Sequence, residues 1–569
     1  MKRKILIWPL IIMICLSAGF LLARYFEKSI VKETEIPTET TPIDNSLTEE
    51  LGEVEDIPVS KIIHQVFLQS QLGKVESIPF IAGETTSKEV TKLWGESNTH
   101  SNTEVGEYIE FPDKDIILGI KNSMVFDIRS YKDDIKLVHL NELKDYREPD
   151  ETKTYKDETT HQIILIYHEN TNYQLKWVFP YPTDENPNPK VHHISVLNLS
   201  ETMNQTINQQ LSNLSLDEKI GQLIFAGISS TELTTSDRKL ITQYKVGGII
   251  FYKENLQNPT QILRLLKTIK ETNSGNKYPL FLGIDEEGGR ISRMPKDIQS
   301  LPSSLAIGNS NNVSFAYDIG RILGKELSTF GFNLDFAPVL DINSNPNNPI
   351  IGDRSFGNNA EVVSSFGIET MRGLQSENII SVIKHFPGHG DTDVDSHLEL
   401  PTINKTKKQL EELELIPFKQ AIHQNTDTVM IAHILLPKID AAFPASLSKK
   451  IITGILRDEM GYDGVVITDD LTMKAITNNY TMEKAAVESI KAGSDILLIA
   501  HDFQNVEVAI QSIKKAIETG EITEEEINTS VKRIIQLKEK YKLNNSNVEK
   551  VNIEELNQTI NNILNKYQS

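Results

Sequence analysis

The sequence predicts an α/β chain whose main part is a (β/α)8 TIM-like barrel, preceded by a small α+β domain and an N-terminal transmembrane segment. Three observations carry this reading. From about residue 210 onward, short apolar runs alternate with amphipathic helical stretches, eight times over. Between 59 and 203 the strands instead alternate in polarity and are joined by turns. At the N-terminus, basic residues precede a mostly apolar run, Ile5 to Ala23, long enough to span a bilayer.

The segments follow in order. Residues 1–26 form a signal anchor: the basic residues stay in the cytoplasm and the rest is exported. No clear A-x-A site follows the apolar run, which favours an uncleaved anchor over a cleaved signal peptide. The single cysteine, Cys15, lies in that run, so no disulfide forms within the chain. Residues 27–58 are rich in Glu, Thr and Pro and read as a solvated, disordered linker.

Residues 59–203 form the small α+β domain. "EYIEF", "DIILGI", "MVFDIRSY", "HQIILIYHE" and "YQLKWVFPY" are strand-like, and "SKEVTKLWG" is a helix ending at Gly95. The stretch "IPFIAGETTSKEVTKLWG" with "VFDIRSY" and "HHISV" resembles an uncharacterised domain of secreted Gram-positive proteins, which implies a location and no activity. Residues 204–569 are the barrel. Its strand candidates are "GQLIFAGI", "VGGIIFY", "LFLGID", "FNLDFAPVLDI", "IISVIKHF", "TVMIAHI", "GVVITDD" and "DILLIA". Apolar strands alternating with helices mean parallel βα units. Eight of them favour a closed barrel over a doubly wound sheet.

Composition excludes one class of partner. The formal net charge is −21 and no basic patch stands out to neutralise phosphates, so no nucleic acid is expected.

In a barrel of this kind the active site lies at the C-terminal ends of the strands. Charged and polar residues gather there: Asp285 after the third strand, Asp335 and Asp341 in and after the fourth, Lys384 and His385 on the fifth. His433 ends the sixth, and Asp469 and Asp470 end the seventh. A helix cap accounts for one or two such residues and not for most of them. The fifth strand runs into "KHFPGHGDTDVDSHLELP", too rich in Gly and Pro for regular structure and too rich in His and Asp for an idle loop. Calcium binding by "DTDVDS" would need Gly and Glu where Ser396 and Thr402 stand. A metal on His385, His389 and His397 has no helix face to unite it, because Pro387 and Gly388 intervene. No metal or other cofactor is therefore expected. An Asp two residues before a His in an extended segment bonds one ring nitrogen and fixes the tautomer, so Asp395 and His397 read as an acid/base pair. A purely structural pair stiffening the loop is the rival.

The segments "KHFPGHGDTDVDSHLELP", "IDEEGGRISRMP", "GDRSFG" and "GVVITDDLTMKA" resemble the signatures of family 3 glycoside hydrolases. More narrowly, they resemble the bacterial β-N-acetylglucosaminidases that act on peptidoglycan fragments, of the single-barrel type. The resemblance covers about 210 to 540. It implies a catalytic nucleophile at Asp469, an acid/base at His397 with its partner Asp395, and sugar-binding roles for Asp285, Arg293, Arg354, Lys384 and His385. It implies retaining, exo-acting hydrolysis of terminal β-linked N-acetylglucosamine. The N-terminal segment and the likeness of the first domain to a secreted Gram-positive domain place the expected activity at the extracellular face of the membrane, or after secretion, in a Gram-positive type of envelope. Two alternatives stay open: a phosphorylase using phosphate as acceptor, and a non-catalytic sugar-binding wall protein.

Overall fold

The computed structural model describes residues 58–568, apart from 98, 104, 158, 170, 171, 200–206 and 208. The expected transmembrane segment (1–26), and the expected linker (27–58) save its last residue, lie outside the described residues. Among the described residues no helix is long and apolar enough to cross a membrane.

The first part is a single antiparallel sheet of eight strands, in the order β1-β2-β3-β4-β8-β7-β6-β5. The strands are β1 (Thr99–Asn102), β2 (Glu107–Phe111), β3 (Ile116–Lys121), β4 (Met124–Ser130), β5 (Glu151–Lys156), β6 (His161–His168), β7 (Tyr173–Pro180) and β8 (His193–Asn198). Alternation sends Leu175, Trp177 and Phe179 to one face, where they are fully buried. A helix, Val59–Ser70, covers that face with Ile63, Val66 and Phe67. Phe67 meets Tyr167 edge-on at 5.0 Å. A second helix, Ser87–Trp94, starts at a capping box between Thr86 and Glu89 and stops at Gly95, as its sequence predicts.

The second part is a parallel barrel. Its strands are β9 (Ile224–Gly227), β10 (Gly248–Phe251), β11 (Phe281–Ile284), β12 (Leu334–Asp335), β13 (Ile380–Phe386), β14 (Thr428–Ile431), β15 (Val465–Thr468) and β16 (Leu497–Ile499). Neighbours pair in parallel from β16 through β9 and on to β15. A bridge between Ile467 and Ile496 joins the two ends and closes the ring. At least one helix packs between successive strands, including Pro259–Thr272, Val313–Phe330, Ala360–Ser376 and Met482–Ala492. Every residue of β10, β11, β13, β14 and β15 is buried, which is why these strands read as unbroken apolar runs. In the core Phe225 stacks on Phe281 and meets Phe336 edge-on at 5.5 Å. The barrel and the antiparallel sheet have separate hydrophobic cores.

The fourth strand is shorter than its sequence suggests. The apolar run 332–342 is regular strand only at Leu334–Asp335. Pro338 has no N–H to donate, and the chain rejoins the ladder beyond it, where the Leu340 N–H donates to the Lys384 carbonyl at 2.7 Å.

Candidate active site

The eight residues singled out from the sequence, Asp285, Arg293, Arg354, Lys384, His385, Asp395, His397 and Asp469, all line one cavity of about 600 Å³. It opens at the ends of the barrel strands where Asp285, His385 and Asp469 leave β11, β13 and β15.

Its floor is a buried lattice of charges. Lys384 Nζ sits 2.7 Å from Asp285 Oδ1 and 2.7 Å from Glu287 Oε1. Arg354 grips both oxygens of Glu287, with Nε to Oε2 and Nη2 to Oε1 each at 2.8 Å. Arg293 Nη2 approaches Asp285 Oδ2 at 3.5 Å. Burial alone would raise Asp285, but Lys384 and Arg293 outweigh it and leave the carboxyl below its ordinary value. Burial also works against Glu287, and Arg354 with Lys384 overcome it still more strongly. Lys384 loses by burial and gains more from these two carboxylates, so it ends above its ordinary value. The result is a set of fixed donors and acceptors suited to a ring of sugar hydroxyls.

Sequence reasoning did not assign Glu287. The signal was present in "DEEGG": in extended chain, residues i and i+2 face the same way. Glu286 points elsewhere, where its Oε2 accepts from the Arg293 N–H at 2.8 Å. Burial pushes Glu286 up to about 7 and Asp335 well above the carboxylate range. Asp335 is wholly buried and does not line the cavity. Its expected place among the active-site charges is therefore corrected: it ends β12 facing Glu286 and the barrel wall.

His385 is held by Asp341. Its Nδ1 lies 2.6 Å from Asp341 Oδ2, and the backbone N–H groups of His385 and His389 donate to the same carboxylate. With Nδ1–H directed at a carboxylate, Nε2 is left to meet a ligand. Burial raises Asp341, and the neighbouring His385 outweighs it, leaving Asp341 lowered. His389 is engaged by Thr392 Oγ1 at 2.8 Å and Ser396 Oγ at 3.3 Å, and burial pushes it down to about 4. Among the described residues no group of three or more His, Cys, Asp or Glu is arranged to hold a metal ion.

The loop over the cavity is anchored at its base and open at its tip. Asn348 Nδ2 donates to the His389 carbonyl at 2.8 Å, and Lys405 pairs with Asp391 at 2.8 Å. Gly388 adopts φ +125°, and a Cβ on Gly390 would collide with the Ile342 carbonyl oxygen, so the turn needs both glycines. Beyond this base, Asp395 Oδ1 accepts from the His397 backbone N–H at 2.7 Å and lies 2.8 Å from His397 Nδ1. The His397 side chain is 65% exposed, free to meet a molecule entering the cavity.

The two adjacent aspartates at the end of β15 differ. Asp470 is spent on structure: Oδ1 accepts from Thr472 N and Ala500 N, both at 3.0 Å, and Oδ2 from Thr472 Oγ1 at 2.6 Å. Asp469 accepts only the Asp470 N–H, at 2.8 Å, among these local donors. Burial raises Asp469, and the nearby His433 and His385, with that N–H, outweigh it and hold the carboxyl below its ordinary value. A carboxylate held below its ordinary value on a strand end, in one cavity with an exposed imidazole, is the pairing that nucleophilic catalysis with acid/base assistance requires. His433 does not compete for that role. It is fully buried, donates from Nε2 to the Asp470 carbonyl at 2.9 Å and meets Ser446 Oγ through Nδ1 at 2.7 Å.

Comparison with known proteins places each of the two parts in a family. The family described as glycosyl hydrolase family 3 N terminal domain matches residues 215–537, and a domain of unknown function (DUF4309) matches 63–197. The chain is similar to beta-hexosaminidase A of Pseudoalteromonas piscicida, 35% identical over 334 residues that make up 54% of this chain and 56% of that protein. It thus spans just over half the length of that relative. A beta-hexosaminidase of Nitrosomonas eutropha is 32% identical over 321 residues, 55% of this chain and 91% of the relative. Among solved structures, a glycoside hydrolase family 3 beta-N-acetylglucosaminidase from Paenibacillus sp. str. FPU-7 aligns with a TM-score of 0.59 at 39% identity, covering 62% of this chain and 69% of that one. With the family match reaching over more than half of the 569 residues, the chain belongs to glycosyl hydrolase family 3, and its barrel corresponds to that family's N terminal domain.

Proposed function

We propose that the barrel removes terminal β-linked N-acetylglucosamine with retention of configuration, and that its natural substrates are peptidoglycan fragments of the GlcNAc–MurNAc type. Asp469 attacks the anomeric carbon and forms a glycosyl-enzyme. His397, supported by Asp395, gives a proton to the departing oxygen and then takes one from water. Asp285, Lys384, Arg354, Arg293 and His385 hold the sugar. The observation that carries this mechanism is the contrast between the aspartates: both line the cavity, but Asp470 accepts three local hydrogen bonds, while Asp469 accepts one and is held below its ordinary value. The beta-hexosaminidase relatives support the acetamido sugar.

Two measurements test the reading. The enzyme is expected to cleave 4-nitrophenyl N-acetyl-β-glucosaminide much faster than the matching β-glucoside; equal rates would refute the choice of sugar. A fluorinated slow substrate is expected to label Asp469, and a label mapped to Asp470 would refute the nucleophile. A second reading rests on His397: an exposed imidazole, unlike a carboxylate, does not repel phosphate, so phosphate can replace water as acceptor. Appearance of a sugar 1-phosphate when phosphate is added would decide for it.

The N-terminal sequence supports an anchor at the extracellular face of the cytoplasmic membrane. Fractionation with membranes, and release by protease cutting within 27–58, is the expected outcome. A soluble product beginning near residue 24 would mean secretion instead.

A further inference from the structure

The cations that line the cavity are not alike. Arg290 is paired with Asp353 at 2.6 Å, Arg293 with Asp285, Arg354 with Glu287, and Lys384 with both Asp285 and Glu287. Lys474 lines the same cavity, is exposed, and pairs with no carboxylate among the described residues. In a chain with a net charge of −21, an uncompensated cation at this mouth is against the general trend.

Its position is specific. The residue after it, Ala475, donates its backbone N–H at 3.2 Å to the carbonyl of Ser396. Ser396 stands between Asp395 and His397. Lys474 therefore lines the cavity next to the segment that carries His397, which on the reading above is the side of the departing oxygen and the leaving sugar. The deep side is already furnished with paired charges for a neutral sugar. A free ammonium on the other side has no neutral hydroxyl ring to explain it, and it suits an anion.

We infer that Lys474 selects N-acetylglucosaminides whose leaving sugar carries a carboxylate. The inference rests on the hydrolase reading above and adds a specificity residue to it. The lactyl carboxylate of a muramic acid has this chemistry, and a chitin-derived leaving sugar does not. An ammonium held at the rim contributes through the transition state and the encounter alike, and its effect is screened by salt.

The test compares GlcNAc–MurNAc with its lactyl methyl ester, which keeps the bulk and removes the charge. The full-length enzyme is expected to prefer the free acid by about tenfold in kcat/KM, the size typical of a charge-assisted contact that water partly reaches. Lys474→Met is expected to cleave both equally, and Lys474→Arg to retain most of the preference. Raising the salt is expected to shrink the wild-type preference and to leave the Met variant unchanged. A wild type without preference, or a Met variant that keeps it, overturns the inference while the hydrolase reading stands. A wild type that releases GlcNAc from neither disaccharide nor the nitrophenyl glycoside overturns both.

Discussion

His397 and Asp395 are two residues apart on an exposed loop tip, and their 2.8 Å contact alone fits either catalysis or loop stiffening. Leaving groups separate the two. A poor leaving group needs the proton and a good one departs without it. His397→Ala is therefore expected to cripple cleavage of GlcNAc–MurNAc, yet to slow glycosylation by an activated nitrophenyl glycoside far less. Deglycosylation then lacks its base, and glycosyl-enzyme accumulates after a burst. Azide, which needs no base, is expected to restore turnover and yield a β-glycosyl azide. Asp395→Ala should follow the same pattern more weakly. Uniform loss on all leaving groups without azide rescue would assign the pair to loop structure. Glu287 poses a different question, because it touches two sugar-facing cations and has no role of its own with the reacting bond. Removing one partner of a buried pair strands the other, at a typical loss of about 3–5 kcal/mol. Glu287→Gln is expected to lose that much in urea unfolding. Glu287→Gln with Arg354→Met should lose clearly less than the sum of the single variants. Strict additivity would show that the bidentate contact carries no coupling.

At the scale of elements, the loop from β13 joins a fixed base to a free tip, and His389 is the joint. Burial holds His389 at about 4 in the folded chain, against 6.5 when unfolded. Between those values the unfolded chain binds a proton that the folded loop refuses, so stability rises with pH there and is lost as pH falls from 6.5 towards 4. The loss amounts to about 3 kcal/mol when complete. The Tm of the wild type is expected to fall across this window more steeply than that of His389→Asn; identical pH profiles would show that His389 does not titrate with loop packing. How much of these elements the sequence disclosed follows from burial. Fully buried strands such as β10 and β14 announce themselves as apolar runs, and the amphipathic helices by their period. The two strands that escaped notice, β1 and β5, are the edges of the antiparallel sheet and are exposed at every residue. "THSN" and "ETKTYK" bury nothing, so they carry no alternation to read, and the charges of Glu151, Lys153 and Lys156 on the β5 edge resist pairing with other chains. The cavity residues were legible because strand ends and a long motif named them. The Asp341–His385 and Glu287–Arg354 contacts were not, since they join segments far apart in sequence.

The whole molecule sets its two cores on opposite sides of a question about the site. The small sheet domain meets the barrel near Asp427 and Gly464, which precede β14 and β15. There Leu72 and Glu84 face Arg533 and Lys540 across a cleft of about 490 Å³. Asp150 approaches Lys542 at 3.8 Å. This is the N-terminal face of the barrel, while Asp469, Lys384 and His397 gather at the C-terminal ends of the strands. Barrels of this kind separate stability at one face from chemistry at the other. The cleft between the two parts mixes polar and apolar residues, while each part keeps its own hydrophobic core. Removing residues 1–204 therefore touches none of the residues that line the catalytic cavity. A chain starting near 205 is expected to fold cooperatively and to keep kcat/KM on the nitrophenyl N-acetylglucosaminide within about threefold of the full protein, since its core is its own. Its Tm is expected to fall by only a few degrees. A folded barrel that has lost activity would show that the sheet domain acts on the site from the far end of the strands, through β14 and β15, and that the two faces of this barrel are coupled.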